Sequence, residues 1–222
     1  TDRRGMQFWS YFSVGCEVMH ASVRPHWCVP GSQKLAAYAD FFAPETPWTD
    51  LLCARIDEFL RQCPQTTWLL FDWFGYGSHS DEWPRIDPNW WFVAQHFERV
   101  LGRPTPQHLK DVTDAEDLEY KRTVLAEQFY RIRDTVKQVR PDVKIMFNVP
   151  YHRAEDPRWV DHPMVRLSDG LFSESTKPEV MEWLLRVRQP GQRVMTTLGG
   201  MYHDPTLCEP DSWKQWHERG CD

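Results

Sequence analysis

The chain has 222 residues and a formal net charge of −6, so it is long enough for one domain with a sizeable core. The negative balance offers no basic excess to neutralise phosphates, so we expect no nucleic-acid partner. No stretch of 18 apolar residues occurs, so we expect no membrane-spanning helix and no membrane partner. No basic and apolar leader opens the sequence, so no signal peptide is expected in it. These features leave the compartment open.

Five short apolar segments predict strands that are buried on both faces, as in a parallel sheet. The predicted strands are residues 7–14, 67–73, 143–149, 169–173 and 193–198.

Helices are predicted between these strands. The first covers residues 49–63 and ends before Pro64, and the second begins at Thr113 and ends before Pro141. Thr113 and Glu116 have capping-box spacing. A third helix follows Thr176, where Thr176 and Glu179 repeat that spacing, and a last one covers residues 211–219.

Alternating strands and helices indicate β/α units around a parallel sheet. The helix-to-strand connections are brief, whereas the strand-to-helix connections at residues 15–48 and 74–112 are long. The long loops therefore gather at the carboxyl ends of the strands, an edge called the rim below, where active sites lie in β/α folds.

Five strands do not close an eight-stranded barrel. We therefore predict an α/β fold made of parallel β/α units of a (β/α)8 barrel, with the opening and closing units absent and residues 1–222 forming a single partial-barrel catalytic domain. An open five-stranded α/β sheet is the competing fold. A partial barrel has two unpaired sheet edges, so we expect further segments or a partner to cover them.

Polar side chains follow every predicted strand and meet at the rim. Asp72 is the strongest functional candidate among them because it lies within an apolar run, where a carboxylate is costly to bury without partners. Glu174 follows the fourth strand and is its natural partner, since paired carboxylates catalyse glycosyl transfer. The structural alternatives are a helix cap or a strand-end salt bridge for Asp72 and a first-turn helix carboxylate for Glu174.

Tryptophan is unusually frequent, with 12 residues. Several of them lie in polar, proline-rich stretches, where rings often line a groove rather than fill a core. A groove of flat apolar faces and scattered polar groups suits a sugar. These tryptophans are Trp27, Trp48, Trp83, Trp90, Trp91 and Trp159.

Four segments carry a family resemblance: YFSVGCEVMH, WLLFDWFGYG, VKQVRPDVKIMFN and LFSES. In this order they resemble the glycoside-hydrolase-like barrels related to α-L-fucosidases. The resemblance implies a (β/α)8 barrel and retaining hydrolysis, with Asp72 as nucleophile, Asn148 at the end of the next strand and Glu174 at the end of the one after. Fucosidases usually have glycine directly after the nucleophile, where this chain has Trp73, and their acid/base position varies between subfamilies.

The leading interpretation is therefore a retaining O-glycoside hydrolase of α-L-fucosidase-like type, with Asp72 as nucleophile and Glu174 as general acid/base. We expect a carbohydrate substrate and neither a cofactor nor a bound metal, since the sequence has no HxH or HExxH motif. A non-catalytic carbohydrate-binding barrel and a metal-dependent hydrolase with ligands from separate loops remain alternatives. The expected substrate-binding residues are Glu17, His20, His26, Trp27, Trp73, Asn148, His152 and His203.

Overall fold

The computed structural model describes residues 7–32, 41–77, 83–148, 156–174, 178–196 and 210–221. Five strands lie within these ranges, each beginning and ending within two residues of its predicted bounds wherever the predicted end is described. They are β1 (Phe8–Ser13), β2 (Thr66–Asp72), β3 (Lys144–Asn148), β4 (Gly170–Ser173) and β5 (Arg193–Thr196).

The strands form one sheet in the order β1-β2-β3-β4-β5, and each neighbouring pair is parallel. Crossovers between parallel strands are right-handed, so this consecutive order brings the connecting helices onto the same face. A doubly wound open sheet reverses its order partway, and this sheet does not. The fold is α/β and has the arrangement of consecutive units of a (β/α)8 barrel, as predicted.

The described helices include the four that the sequence predicts. The clearest begins after Thr113, whose Oγ1 accepts from the Glu116 backbone N–H at 3.2 Å while the Glu116 carboxylate accepts from the Thr113 backbone N–H at 2.9 Å. This confirms the predicted capping box. The predicted cap at Thr176 lies outside the described residues. The helices are α1 (Val18–Val23), α2 (Trp48–Gln62), α3 (Trp91–Leu101), α4 (Asp114–Val139), α5 (Pro163–Leu167), α6 (Pro178–Val187) and α7 (Pro210–Glu218).

The prediction of long loops over residues 15–48 and 74–112 is wrong in part, because α1 lies inside the first and α3 inside the second. Val93 and Phe97, four residues apart, bury one face of α3. Gly102 ends it with φ 68°, a left-handed conformation that glycine adopts without steric cost. The spacing and the glycine were both visible in the sequence.

The two faces of the sheet differ in their surroundings. Side chains of one alternate set, among them Phe71, Phe147 and Leu171, pack into the hydrophobic core with residues of α2, α4 and α6. The other set includes Tyr11, which is 54% exposed, and Leu70, its register partner on β2. The second face is the inner, concave face of the partial barrel. Within the described residues, no helix has the length and apolar character needed to cross a bilayer.

Candidate active site

Asp72 ends β2 at the rim and is only 7% exposed. Its carboxylate accepts hydrogen bonds from the Tyr11 hydroxyl at 2.8 Å and from the Asn148 side-chain amide at 2.8 Å. The backbone N–H of Trp73 donates to it at 2.7 Å. Donors from β1, β3 and the residue after β2 therefore fix the orientation of this carboxylate.

The strand register explains why these groups meet. Ser13 pairs with Asp72, and Phe71 pairs with Phe147, so Asn148 lies beside Asp72 at the end of the next strand. Tyr11 precedes Ser13 by two residues and therefore points to the same face. The tyrosine side chain is long enough for its hydroxyl to reach the Asp72 carboxylate two residues further along the sheet.

The Tyr11 hydroxyl donates to Asp72 and is affected by the negative charge of both candidate catalytic carboxylates. Burial and the charge of Asp72 raise the pKa of Tyr11 well above its ordinary value, and the charge of Glu174 acts in the same direction. Tyr11 therefore stays protonated at neutral pH and donates to Asp72. Glu174 is half-buried and directly follows β4 at the rim.

Asn148 offers an unsatisfied acceptor at this site. The residue is fully buried, and its side-chain nitrogen donates to Asp72. Its Oδ1 atom is buried and has no hydrogen-bond partner in the described part of the chain. Leaving a buried acceptor unpaired costs about 1–3 kcal/mol, and a ligand hydroxyl would satisfy it.

Trp73 holds an unusual backbone conformation directly after Asp72. Its φ is 57°, in the left-handed region that costs a residue with a side chain roughly 1–2 kcal/mol. A glycine, usual at this position in the fucosidase-like barrels, would adopt it without that cost. Strain of this kind is concentrated at functional sites, and here it turns the chain away from the sheet right after Asp72.

Glu17 and His20, both predicted to bind substrate, use their polar atoms at the start of α1. The Glu17 carboxylate accepts from the backbone N–H groups of Met19 and His20 and contacts the His20 ring. Burial alone would raise the pKa of Glu17, but the hydrogen bonds from His20 and Met19 outweigh it and lower that pKa. The His20 ring lies against Trp48 and Arg55 of α2, so these contacts are on the helix side rather than with Asp72.

Four further residues were predicted to bind substrate, and the structure describes two of them. His26 is exposed, and Trp27 is half-buried with the Arg24 guanidinium 4.9 Å from its ring centroid. His152 and His203 lie outside the described residues. Tyr11, Trp73 and Asn148 are the residues seen to donate to the Asp72 carboxylate within the described ranges, so neither His26 nor Trp27 is among these donors.

The prediction that the tryptophans in polar stretches line a groove holds for some and not for others. Trp48 is 1% exposed and Trp159 is fully buried, and both are core residues. Trp91 is 66% exposed, whereas Trp90 lines a cavity. Proline-rich neighbours did not distinguish these cases, because burial depends on how the loops fold back on the sheet.

Tyr11 is the site residue that sequence reasoning missed. The predicted site residues follow the strands, whereas Tyr11 lies inside β1. The signal was the alternation of β1, which places Tyr11 and Ser13 on one face. Within the described ranges, no group of three or more His, Cys, Asp or Glu is assembled to hold a metal ion.

Comparison with known proteins identifies the fold. No protein-family model matches the chain, and no curated protein matches it. Among solved structures, an α-L-fucosidase isoenzyme 2 from Paenibacillus thiaminolyticus is similar with a TM-score of 0.64 and 17% identity, over 88% of this chain and 29% of that one. An agarase is similar with a TM-score of 0.51 and 13% identity, over 99% of this chain and 37% of that one. The chain thus has a glycoside-hydrolase-like fold and spans about a third of the length of these proteins.

Proposed function

We propose that the chain is the central part of a retaining O-glycoside hydrolase. The observation that carries this proposal is the setting of Asp72, a carboxylate that Tyr11, Trp73 and Asn148 hold at the rim, where Glu174 directly follows β4. Two carboxyl groups on one rim are the pair that glycoside hydrolysis requires. The similar solved structures are an α-L-fucosidase and an agarase, which supports the same class of reaction.

Each carboxylate has a separate role in the proposed mechanism. Asp72 attacks the anomeric carbon and forms a glycosyl-enzyme while Glu174 protonates the leaving oxygen. Glu174 then takes a proton from water, which attacks the anomeric carbon and releases Asp72. Tyr11 and Asn148 hold the Asp72 carboxylate in place through both steps.

The sugar contacts are the finer part of the proposal. The unpaired Oδ1 of Asn148 accepts from a sugar hydroxyl, and the half-buried Trp73 ring offers an apolar face beside it. Because the sequence motifs resemble fucosidase-like barrels, an α-L-fucoside is the first substrate to test.

Turnover of a panel of aryl glycosides that includes an α-L-fucoside tests the proposal. We expect Asp72→Asn to lower turnover by several orders of magnitude while the fold and sugar affinity are kept, because only the nucleophile's charge is lost. Azide should rescue Asp72→Gly and yield a glycosyl azide of inverted anomeric configuration. Asp134→Asn, at an exposed position on α4, is the matched control and should retain full turnover.

Glu174→Ala separates the acid/base role from the nucleophile. Substrates with good leaving groups should still be attacked, since they need little protonation, whereas poor leaving groups should not. For the wild type, NMR of the first-formed product should show the same anomeric configuration as the substrate, as retaining hydrolysis requires. Sugar binding by the wild type without turnover of any substrate would instead favour a non-catalytic carbohydrate-binding barrel.

A further inference from the structure

A cavity of about 310 Å³, separate from the Asp72 carboxylate, is lined mainly by the connection between β1 and α2. It is lined by residues of the segment from Pro25 to Ser32 and by Trp90, the residue that precedes α3. Its volume lies at the lower end of the range of about 300–1,000 Å³ for small-molecule sites. We call it the accessory cavity.

The wall of the accessory cavity is built on a defined turn. The Ser32 backbone N–H donates to the Val29 carbonyl at 3.0 Å, and Gly31 has φ 73°. With Pro30 before Gly31, this is the pattern of a type II turn. The Val29 backbone N–H donates to the Phe41 carbonyl at 2.7 Å, so this hydrogen bond ties the turn to the segment that begins at Phe41.

The loop that carries the accessory cavity lies next to the chain segment that follows Asp72. The Phe42 backbone N–H donates to the Gly15 carbonyl at 2.9 Å. A methyl group placed on Gly15 would lie 2.4 Å from the Trp73 carbonyl oxygen, and one on Gly77 would lie 3.0 Å from Val29. The loop that carries the cavity is therefore packed directly on the residues that follow Asp72.

The lining indicates the chemistry of the occupant. None of its eight residues is Asp, Glu, Lys or Arg, so a charged ligand would find no counter-ion among them. Trp90 and two prolines supply apolar surface, and the exposed His26 supplies a ring nitrogen. The Ser32 Oγ atom is buried with no hydrogen-bond partner in the described part of the chain. An uncharged ligand with apolar faces and hydroxyl groups satisfies all of these features.

We propose that the accessory cavity binds one neutral sugar ring. The ring packs on Trp90 while its hydroxyls bond to Ser32 and His26. This inference rests on the proposed function, because a neutral sugar ring on this rim belongs to the carbohydrate on which Asp72 acts.

Saturation-transfer NMR with free monosaccharides, which offer no glycosidic bond to hydrolyse, tests the proposal. The probes are glucose, galactose, mannose, xylose and L-fucose, with glucuronate as the charged comparison. We expect at least one neutral sugar to bind, and Trp90→Ala or His26→Ala to weaken that binding about tenfold or more, through lost ring contact and hydrogen bonding. Trp91→Ala, the adjacent and 66% exposed tryptophan, is the matched control and should bind as the wild type does.

The outcomes distinguish this cavity from the Asp72 site. Asp72→Asn should leave the Trp90-dependent signal unchanged, even if the aryl glycoside assay gives no turnover. A signal that Asp72→Asn removes and Trp90→Ala leaves intact would overturn the accessory site while leaving the proposed function standing. Preference for glucuronate, or the absence of binding by any neutral sugar to the wild type, would also overturn it. Since His26 is exposed, His26→Ala decides the question if Trp90→Ala does not fold.

Discussion

The carboxylate of Asp72 is positioned by groups from different strands rather than by its sequence neighbours alone. Tyr11 lies 61 residues away and Asn148 lies 76 residues away in the chain. A shift of one residue in either strand register would turn these side chains to the other face. The site therefore depends on the pairing of three strands, and each donor can be tested separately.

Tyr11→Phe removes one donor to Asp72 and keeps the ring. A hydrogen bond to a charged group contributes about 1.5–3 kcal/mol, so we expect kcat to fall roughly tenfold to hundredfold, with a smaller change in KM. Steady-state kinetics on the best aryl glycoside measures this. Tyr130→Phe, at an exposed position on α4, should be silent. Unchanged kcat in Tyr11→Phe would show that this hydroxyl does not position the nucleophile.

Glu45 is a buried carboxyl group away from Asp72. The hydroxyls of Tyr76 and Tyr120 donate to its Oε1 atom at 2.8 and 3.0 Å, while its Oε2 atom is buried without a hydrogen-bond partner in the described residues. Burial raises the pKa of Glu45 above its ordinary value of 4.5, although the tyrosine hydrogen bonds oppose the rise. The folded protein therefore holds a proton that the unfolded chain releases.

This proton sets a pH dependence of stability. Between pH 4.5 and the raised folded-state pKa, the unfolded state binds fewer protons, so stability contributed by Glu45 falls as pH rises. Glu45→Gln mimics the protonated form, and we expect its Tm relative to the wild type to increase as the pH rises from 4.5 towards the folded-state pKa. Calorimetry at each pH measures the difference, with Glu58→Gln at an exposed position on α2 as control. If the Tm of the wild type instead rises relative to that of Glu45→Gln as the pH increases, the interpretation is contradicted.

At the scale of elements, the turn after β1 and the turn after β2 are packed against each other. A methyl group on Gly15 would lie 2.4 Å from the Trp73 carbonyl oxygen and 2.7 Å from the Phe41 ring. The Phe41 and Trp73 rings meet edge to face with centroids 5.9 Å apart. Because the contact at Gly15 involves backbone, it offers little room for adjustment. The strained Trp73 is thus held from one side by Gly15 and Phe41.

Gly15→Ala should disturb this contact and the adjacent Asp72. Overpacking of this kind costs typically about 1–3 kcal/mol, and we expect both a lower unfolding free energy and a lower kcat per folded molecule. Denaturant unfolding and active-site kinetics measure the two effects. Gly102→Ala, where φ is 68° and no atom lies within 4 Å of the added methyl, should lose stability alone. Equal kcat in both variants would mean that the Gly15 contact does not support the site.

At the scale of the whole molecule, the sheet is a segment of a barrel with an accessible inner face. Within the described residues, β1 is paired only with β2, and β5 only with β4. Tyr11 and the half-buried Leu70, Phe172 and Met195 lie on the inner face. The chain spans only 29% of the similar fucosidase. We propose that further β/α segments or a partner cover the two edges and this face.

The isolated chain is therefore expected to self-associate. Unpaired strand edges present rows of backbone donors and acceptors that pair with other chains, and the inner face adds apolar surface. Size-exclusion chromatography with light scattering over a range of concentrations should show oligomers. A clean monomer with a single cooperative unfolding transition would contradict this expectation, and it would mean that the 222 residues cover their own edges.

The sequence by itself predicted the fold class, which the structure confirms, and singled out Asp72 as the leading candidate site residue. Apolar runs, the Thr113–Glu116 cap and the loop lengths are local patterns, and they predicted the strands, α4 and the rim. Asp72 stood out because a carboxylate in an apolar run needs partners. Only the tertiary structure identified the hydrogen-bond donors to Asp72, because strand register and loop paths depend on contacts between residues far apart in the chain. It supplied Tyr11 and the unpaired Asn148 oxygen. It also used Glu17 as the cap of α1, placed the His20 ring against α2 and buried Trp48 in the core, since burial there depends on which face each loop folds against.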